Sequence, residues 1–275
     1  MVFRHKFRDK IYGADMNIKE FGTQNSQTII FLHGGGLSWW NYREEALSLS
    51  KHYHIVIPLL DGHAGCDADF KSISENADRI ISFIYRNCNG NVLLIAGLSL
   101  GAQILTDILS KHENICQYAV IESACIIPSK ITSFLLEPSV SSSFFLIKKK
   151  WFAKMQFRYL HLKNELFDDY YKDTCLISKE NMIRFLKSST EYKLSENIKN
   201  CRCQKIRIIA GSKEALKILK SARLLNKILP NSTLEIKDGL YHGEYSINKP
   251  ELYSEELLDM LALFEADNKD RFELP

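Results

Sequence analysis

Short apolar runs alternate with stretches of helical period along most of the chain, which predicts a mostly parallel sheet covered by helices. Thr28 to Gly36, TIIFLHGGG, reads as a buried strand ending in a glycine loop. His54 to Gly65 supplies a second strand with its turn, Asn91 to Gly101 a third and Tyr118 to Ser123 a fourth. Two more follow late in the chain, Lys205 to Ser212 and Ser232 to Gly239. Ahead of them all, FRHKFRDKIYG and MNIKEFG alternate polar and apolar positions, as a hairpin at one sheet edge would.

The intervening segments carry the helical period. Ser72-Ile73-Ser74-Glu75 resembles a capping box, and Ile73, Ala77, Ile80, Ile81 and Ile84 follow it on one face. Leu100, Ile104, Leu105 and Ile108 form an equivalent stripe after the third strand, and Leu216, Leu219, Ala222 and Leu225 after the fifth. Pro250 opens a last helix, entered through Asn248. All of these stripes read as core-facing.

One stretch breaks the alternation. From 125 to 200 no convincing strand occurs, and apolar-periodic segments carry many aromatics, among them Phe134, Phe144, Phe145, Trp151, Phe152, Phe157 and Tyr159. Pro128 and Pro138 punctuate its start. The reading is a helical cap at 125–200, inserted into one α/β core made of 1–124 and 201–275, with Phe145 and Trp151 expected to shape a pocket. Lys148-Lys149-Lys150-Trp151 sets basic residues beside an aromatic one, which would suit a membrane or an acidic substrate. A solvated helix face is the preferred reading of that run.

Composition narrows the partners. With 36 basic and 33 acidic residues the net charge is +3, which gives no electrostatic case for nucleic acid. No apolar run is long enough to span a bilayer, so stable membrane insertion is not expected. The first residues lack the apolar core of a secretory signal. Seven cysteines, an odd number, then read as reduced thiols in a cytoplasmic protein. Cys201 and Cys203 alone are weak ground for a metal, and read as a strand-edge pair. No internal repeat or low-complexity tract is present.

The chemistry concentrates where strands end. Gly97-Leu98-Ser99-Leu100-Gly101 fits G-x-S-x-G between a buried strand and a helix, the setting in which a serine hydroxyl is lifted above a sheet on a tight turn. The helix start puts the Leu100 N–H near any negative charge developing there. His33-Gly34-Gly35-Gly36 can turn its N–H groups inward, and Gly35, with Gly36 close behind, is the second candidate oxyanion donor. His33 itself reads as structural.

A serine nucleophile needs a base, and the base needs an acid. His242 sits in a glycine-bounded loop after the last strand, on the edge that the strand ends share. His63 precedes the elbow and reads as turn-forming. Glu214 follows the fifth strand on that same edge. Glu122, ending the fourth strand, competes with it, whereas Asp238 reads as part of a strand end.

The order Ser99, Glu214, His242 resembles that of the α/β-hydrolase superfamily. Asp61-Gly62-His63-Ala64-Gly65 is similar to the family's D-x-x-G-H-G turn, though shortened, and Gly211-Ser212-Lys213-Glu214 to its G-x-x-D acid loop, with glutamate for aspartate. The resemblance spans about Thr28 to Phe264. It implies an esterase-like serine hydrolase with no cofactor or metal, and the aromatics of 125–200 suggest a small-molecule substrate with an apolar acyl or aromatic part. Thioesterase, acyltransferase and carbon–carbon hydrolase activities use the same arrangement and stay open, as does a non-catalytic receptor on the same fold. Dehalogenases and epoxide hydrolases of the family are disfavoured, because they carry aspartate where this chain has Ser99.

Overall fold

The computed structural model describes residues 8–12 and 16–272, with side chains described from 16 to 262. It contains an eight-stranded sheet in the order β1-β2-β4-β3-β5-β6-β7-β8. The strands are β1 (Arg8–Tyr12), β2 (Met16–Phe21), β3 (Thr28–Leu32), β4 (His54–Pro58), β5 (Val92–Leu98), β6 (Cys116–Glu122), β7 (Lys205–Gly211) and β8 (Ser232–Lys237). From β4 to β8 across the sheet, neighbours are parallel. β1 and β2 add the antiparallel hairpin at the edge, and the part of the predicted hairpin at 1–7 and 13–15 lies outside the described residues.

Helices α1 (Arg43–Leu49), α2 (Ile73–Asn87) and α3 (Leu100–Lys111) precede an insertion of four helices. Those four are α4 (Lys130–Ile147), α5 (Lys150–Tyr159), α6 (Phe167–Leu176) and α7 (Lys179–Glu191), all between β6 and β7. Then come α8 (Leu216–Ile228), α9 (Glu244–Asn248) and α10 (Pro250–Phe272). The core has two layers because strand side chains alternate. Ile30 and Leu32 of β3 pack towards the stripes of α2, α3 and α8, while Ile29 and Phe31 pack towards α1 and α10.

Local signals explain several boundaries and correct others. Ser72 caps α2 by accepting the Glu75 N–H at 3.0 Å, but the reciprocal half of a capping box is absent: the Glu75 carboxylate pairs with Lys71 at 2.9 Å instead. Leu216 is 73% exposed, so the core stripe of α8 begins at Leu219 rather than in the first turn. Pro138 lies inside α4 rather than at its boundary, at an exposed position where the carbonyl it leaves unpaired can bond water. Cys116, Cys201 and Cys203 gather beneath the sheet with sulfurs 3.4–3.5 Å apart, and all seven cysteines are free thiols. Among the described residues no helix is long and apolar enough to cross a membrane, and no cluster of His, Cys, Asp and Glu could hold a metal ion.

The insertion is clamped to the sheet on both sides. Gln103 of α3 donates to the carbonyls of Cys125 and Ser189 and accepts from Ser189 Oγ. On the other flank, Trp40 Nε1 donates to Asp173 at 2.9 Å and Arg43 pairs with Asp169 at 2.7 Å. Those anchors hold the four helices above the carboxyl ends of the strands, where open α/β sheets place their ligands.

Candidate active site

Registers in the sheet decide what can meet. Leu32 pairs with Gly97, Leu98 with Glu122, and Gly211 with Lys237, so the loops after β3, β5, β6, β7 and β8 leave one edge together. Ser99 leaves β5 at that edge with φ 54° and ψ −110°, a left-handed backbone that costs an L-residue about 1–2 kcal/mol. The turn holds because its neighbours are pinned. Ser99 N–H donates to the Glu122 carbonyl at 2.9 Å, and α3 starts at once with Gln103 N–H on the Ser99 carbonyl.

Gly97 and Gly101 are required by crowding. A Cβ on Gly101 would lie 2.1 Å from the Leu32 carbonyl oxygen, and one on Gly97 would lie 2.6 Å from the Gly101 carbonyl oxygen. The small-residue spacing around Ser99 thus follows from α3 passing against the end of β3.

Three side chains from three loops make one hydrogen-bonded line. Ser99 Oγ lies 2.9 Å from His242 Nε2, and His242 Nδ1 lies 2.7 Å from Glu214 Oε2. With Nδ1–H donating to Glu214, Nε2 is left as an acceptor for the serine proton. The other oxygen of Glu214 accepts from Gly211 N–H and Ser123 Oγ, both at 2.7 Å. Burial alone would raise the Glu214 carboxyl; the hydrogen bond and charge of His242, with those two donors, outweigh it and hold the group below its usual range.

The competing carboxylates point elsewhere. Glu122 is fully buried, accepts Ser246 N–H at 3.2 Å and leaves its second oxygen without a partner. Burial pushes its carboxyl up to about 7. Asp238 is exposed and accepts from Ser212 Oγ at 3.0 Å.

Beside Ser99 the glycine loop is arranged by two buried imidazoles. His33 Nε2 accepts Leu60 N–H while its Nδ1 bonds the Gly34 carbonyl. His63 Nε2 accepts Gly36 N–H at 3.0 Å while its Nδ1 bonds the Asp61 carbonyl. Burial, then the charge of His63, takes His33 down to about 3, and burial takes His63 down to about 4, so both rings are neutral acceptors. Gly36 is thereby occupied, and Gly34 N–H donates to Asn41 Oδ1 at 3.1 Å. Among the described residues Gly35 N–H and Leu100 N–H have no partner. The two residues are neighbours: a Cβ on Gly35 would meet Leu100 Cβ at 3.5 Å.

Ser99, His242 and the glycine loop open into a cavity of about 230 Å³. Its far wall comes from the insertion, chiefly Ile147, Leu160, Leu162, Tyr170, Met182 and Phe185, with Gln156 and Thr174 as polar groups. Phe145 and Trp151, expected to shape this pocket, are 66% and 64% exposed and do not line it. The contributions of Ser123 and Asn41 were not foreseen. The left-handed backbone of Ser123, φ 57°, carries no sequence signature, and Asn41 acts across a loop. His63, read as turn-forming, is in addition a prop for Gly36 and stacks on Phe185 with ring centres 4.6 Å apart.

Comparison with known proteins agrees with this architecture. The model of an alpha/beta hydrolase family matches residues 29–193. No curated protein matches the sequence closely enough to count as a relative. Among solved structures, an esterase from Exiguobacterium antarcticum superposes with a TM-score of 0.77 at 16% identity, over 94% of this chain and 99% of its own. The enol-lactonase from Burkholderia xenovorans gives 0.77 at 12% identity, over 92% and 100%. A thermophilic esterase from Thermogutta terrifontis gives 0.74 at 12%, over 94% and 97%. At these identities the likeness speaks for the fold.

Proposed function

The chain belongs to the alpha/beta hydrolase family, and from its site we propose that it is a serine hydrolase of small esters, working through an acyl-enzyme on Ser99. The observation that carries this reading is the unbroken line from Ser99 Oγ through His242 to Glu214, at 2.9 and 2.7 Å, opening into an apolar cavity. Ser99 Oγ attacks the ester carbonyl carbon while His242 Nε2 takes its proton. The carbonyl oxygen, now negative, is held by the free N–H groups of Gly35 and Leu100. His242 returns the proton to the departing alkoxide, leaving an acyl group on Ser99. Water then attacks that ester, His242 takes the water proton, and collapse releases the acid and restores the serine hydroxyl. Glu214, ionised and bonded on both oxygens, keeps Nδ1–H in place and stabilises the imidazolium in each half.

Cavity size argues for the substrate class. About 230 Å³ lies below the usual range for a drug-sized ligand, and its walls are mainly aliphatic and aromatic. A compact apolar acyl group fits that space better than a long chain. The test is a fluorophosphonate probe followed by intact-mass analysis, with turnover of p-nitrophenyl acetate and butyrate alongside. One organophosphoryl adduct on the native chain, none on Ser99→Ala, and turnover of either ester are the expected results. An adduct that persists in Ser99→Ala, or a labelled protein that turns over neither ester, would overturn the reading.

The corrected cavity wall changes which substitutions should matter. Leu160→Ala removes pocket-lining methyl groups and should move the kcat/KM ratio of p-nitrophenyl hexanoate to acetate upward by about tenfold, the usual worth of a methylene or two in such a pocket. Trp151→Ala and Phe145→Ala, which lie outside it, should leave that ratio unchanged. A chain-length series on the three variants decides it.

A further inference from the structure

Helix α5 presents a surface that this reaction leaves unused. Its inner side buries Ala153 and Phe157. The opposite side carries Trp151, Met155 and Tyr159 at 64%, 53% and 84% exposure, spaced four residues apart and therefore aligned in one stripe about 12 Å long. Lys154 and Arg158 flank the stripe, and Lys148 and Lys149 stand exposed just before the helix. Between Glu137 and Glu165 the chain has six lysines and arginines and no acidic residue, against near-balance overall. Lys150 lies 3.7 Å from Asp168 and Lys163 lies 3.7 Å from Glu44. Among the described residues Lys148, Lys149, Lys154 and Arg158 have no carboxylate partner.

A merely solvated face would not place its largest apolar side chains at its outermost positions. Aromatic and thioether groups at the crest, with unpaired bases on the flank, match what an amphipathic helix presents when it lies in a lipid headgroup layer. A second copy of the chain is a poorer occupant. A two-fold contact would set these bases against themselves, and three side chains on one short helix fall well below the roughly 800 Å² per partner of a stable interface. We propose that α5 and the lysines preceding it are a docking surface for an anionic lipid bilayer. Trp151, Met155 and Tyr159 sit at the boundary of headgroups and acyl chains, and Lys148, Lys149, Lys154 and Arg158 rest on lipid phosphates. At ten residues α5 is too short to span, so the chain lies on the membrane rather than in it. Gln156 of the same helix and Leu160 directly after it line the cavity, so docking brings the cavity within about one helix diameter, 10 Å, of the lipid.

Binding is read without reference to activity. The full chain is sedimented with vesicles of phosphatidylcholine alone and of phosphatidylcholine with about a quarter phosphatidylglycerol. The proposal expects binding to the anionic vesicles only, weakened by salt. Lys148→Ser, Lys149→Ser, Lys154→Ser and Arg158→Ser together should reduce the partition coefficient on the order of 1,000-fold. Trp151→Ser with Met155→Ser and Tyr159→Ser should reduce it by at least about tenfold. Both variants should keep the native far-ultraviolet circular dichroism and urea-unfolding midpoint, since the substituted side chains are exposed. Failure to bind anionic vesicles at low salt, equal binding to both vesicle types, or variants that bind like the native chain would each overturn the proposal. So would native self-association in sedimentation velocity that the α5 substitutions abolish, which would assign the face to a second copy.

Discussion

Ser99→Ala is expected to lower kcat on p-nitrophenyl acetate by about a million-fold while KM stays within a few-fold, the scale on which serine proteases lose turnover with their nucleophile. The substitution disturbs little else. Alanine keeps the same Cβ and meets the same left-handed backbone at φ 54°, so no strain is added or released at the elbow. The free N–H groups of Gly35 and Leu100, the cavity wall and the His242–Glu214 pair all stay in place. What disappears is the atom that forms the covalent bond, with the proton relay that activated it at 2.9 Å. Residual turnover, some thousandfold over water, would reflect the donors and binding alone. Traces of contaminating native enzyme mimic such a residue, so the measurement pairs steady-state rates with fluorophosphonate titration of active sites. A rate within about a hundredfold of native, in a preparation that titrates to zero, would remove Ser99 from the chemistry.

How much of this was legible in the residues depends on what the pattern encodes. The parallel strands and the elbow could be read because a fully buried strand is a run of apolar residues, and because α3 can pass β3 only where Gly97 and Gly101 stand. His242 and Glu214 could be placed on the right edge because loops after parallel strands leave it together. Position favours Glu214, in the loop beyond β7, over Glu122, the last residue of β6, but does not show which way either side chain turns. Only the strand registers and the Ser246 N–H show that Glu122 turns into the interior. Periodicity gives the direction of a side chain but not whether anything packs over it, which is why Leu216 reads as core and is exposed. The same limit misassigned the insertion's aromatics. Their concentration was visible, but the cavity wall joins Leu160, just after α5, to Met182 and Phe185 of α7, and no spacing relates those two segments.

The remaining test separates those two glutamates. Glu214→Gln should reduce kcat by about four orders of magnitude, and Glu122→Gln by no more than a few-fold. Both oxygens of Glu214 accept hydrogen bonds, one from His242 and the other from Gly211 N–H and Ser123 Oγ. A glutamine has one acceptor for those two sites. Keeping its oxygen on the Gly211 and Ser123 donors turns its NH₂ towards His242 Nδ1, which must then accept. The ring proton moves to Nε2, facing Ser99, and the base is lost without any atom leaving. Glutamine at 122, by contrast, keeps an acceptor for Ser246 N–H and touches none of the reacting groups. Its effect belongs on stability. Burial raises the Glu122 carboxyl to about 7 from an ordinary 4.5, so between those pH values the native chain holds a proton that the unfolded chain has released. Stability from this group is complete below about pH 4.5, is lost as pH rises towards 7, and does not return above it. The loss is bounded at about 3 kcal/mol by the size of the shift. Glutamine has no proton to lose, so urea unfolding of Glu122→Gln at pH 5 and pH 8 should show less decline with pH than the native chain. Kinetics with one activated ester complete the comparison: if Glu122→Gln collapses while Glu214→Gln stays within about tenfold of native, the acid partner of His242 runs through β6 instead.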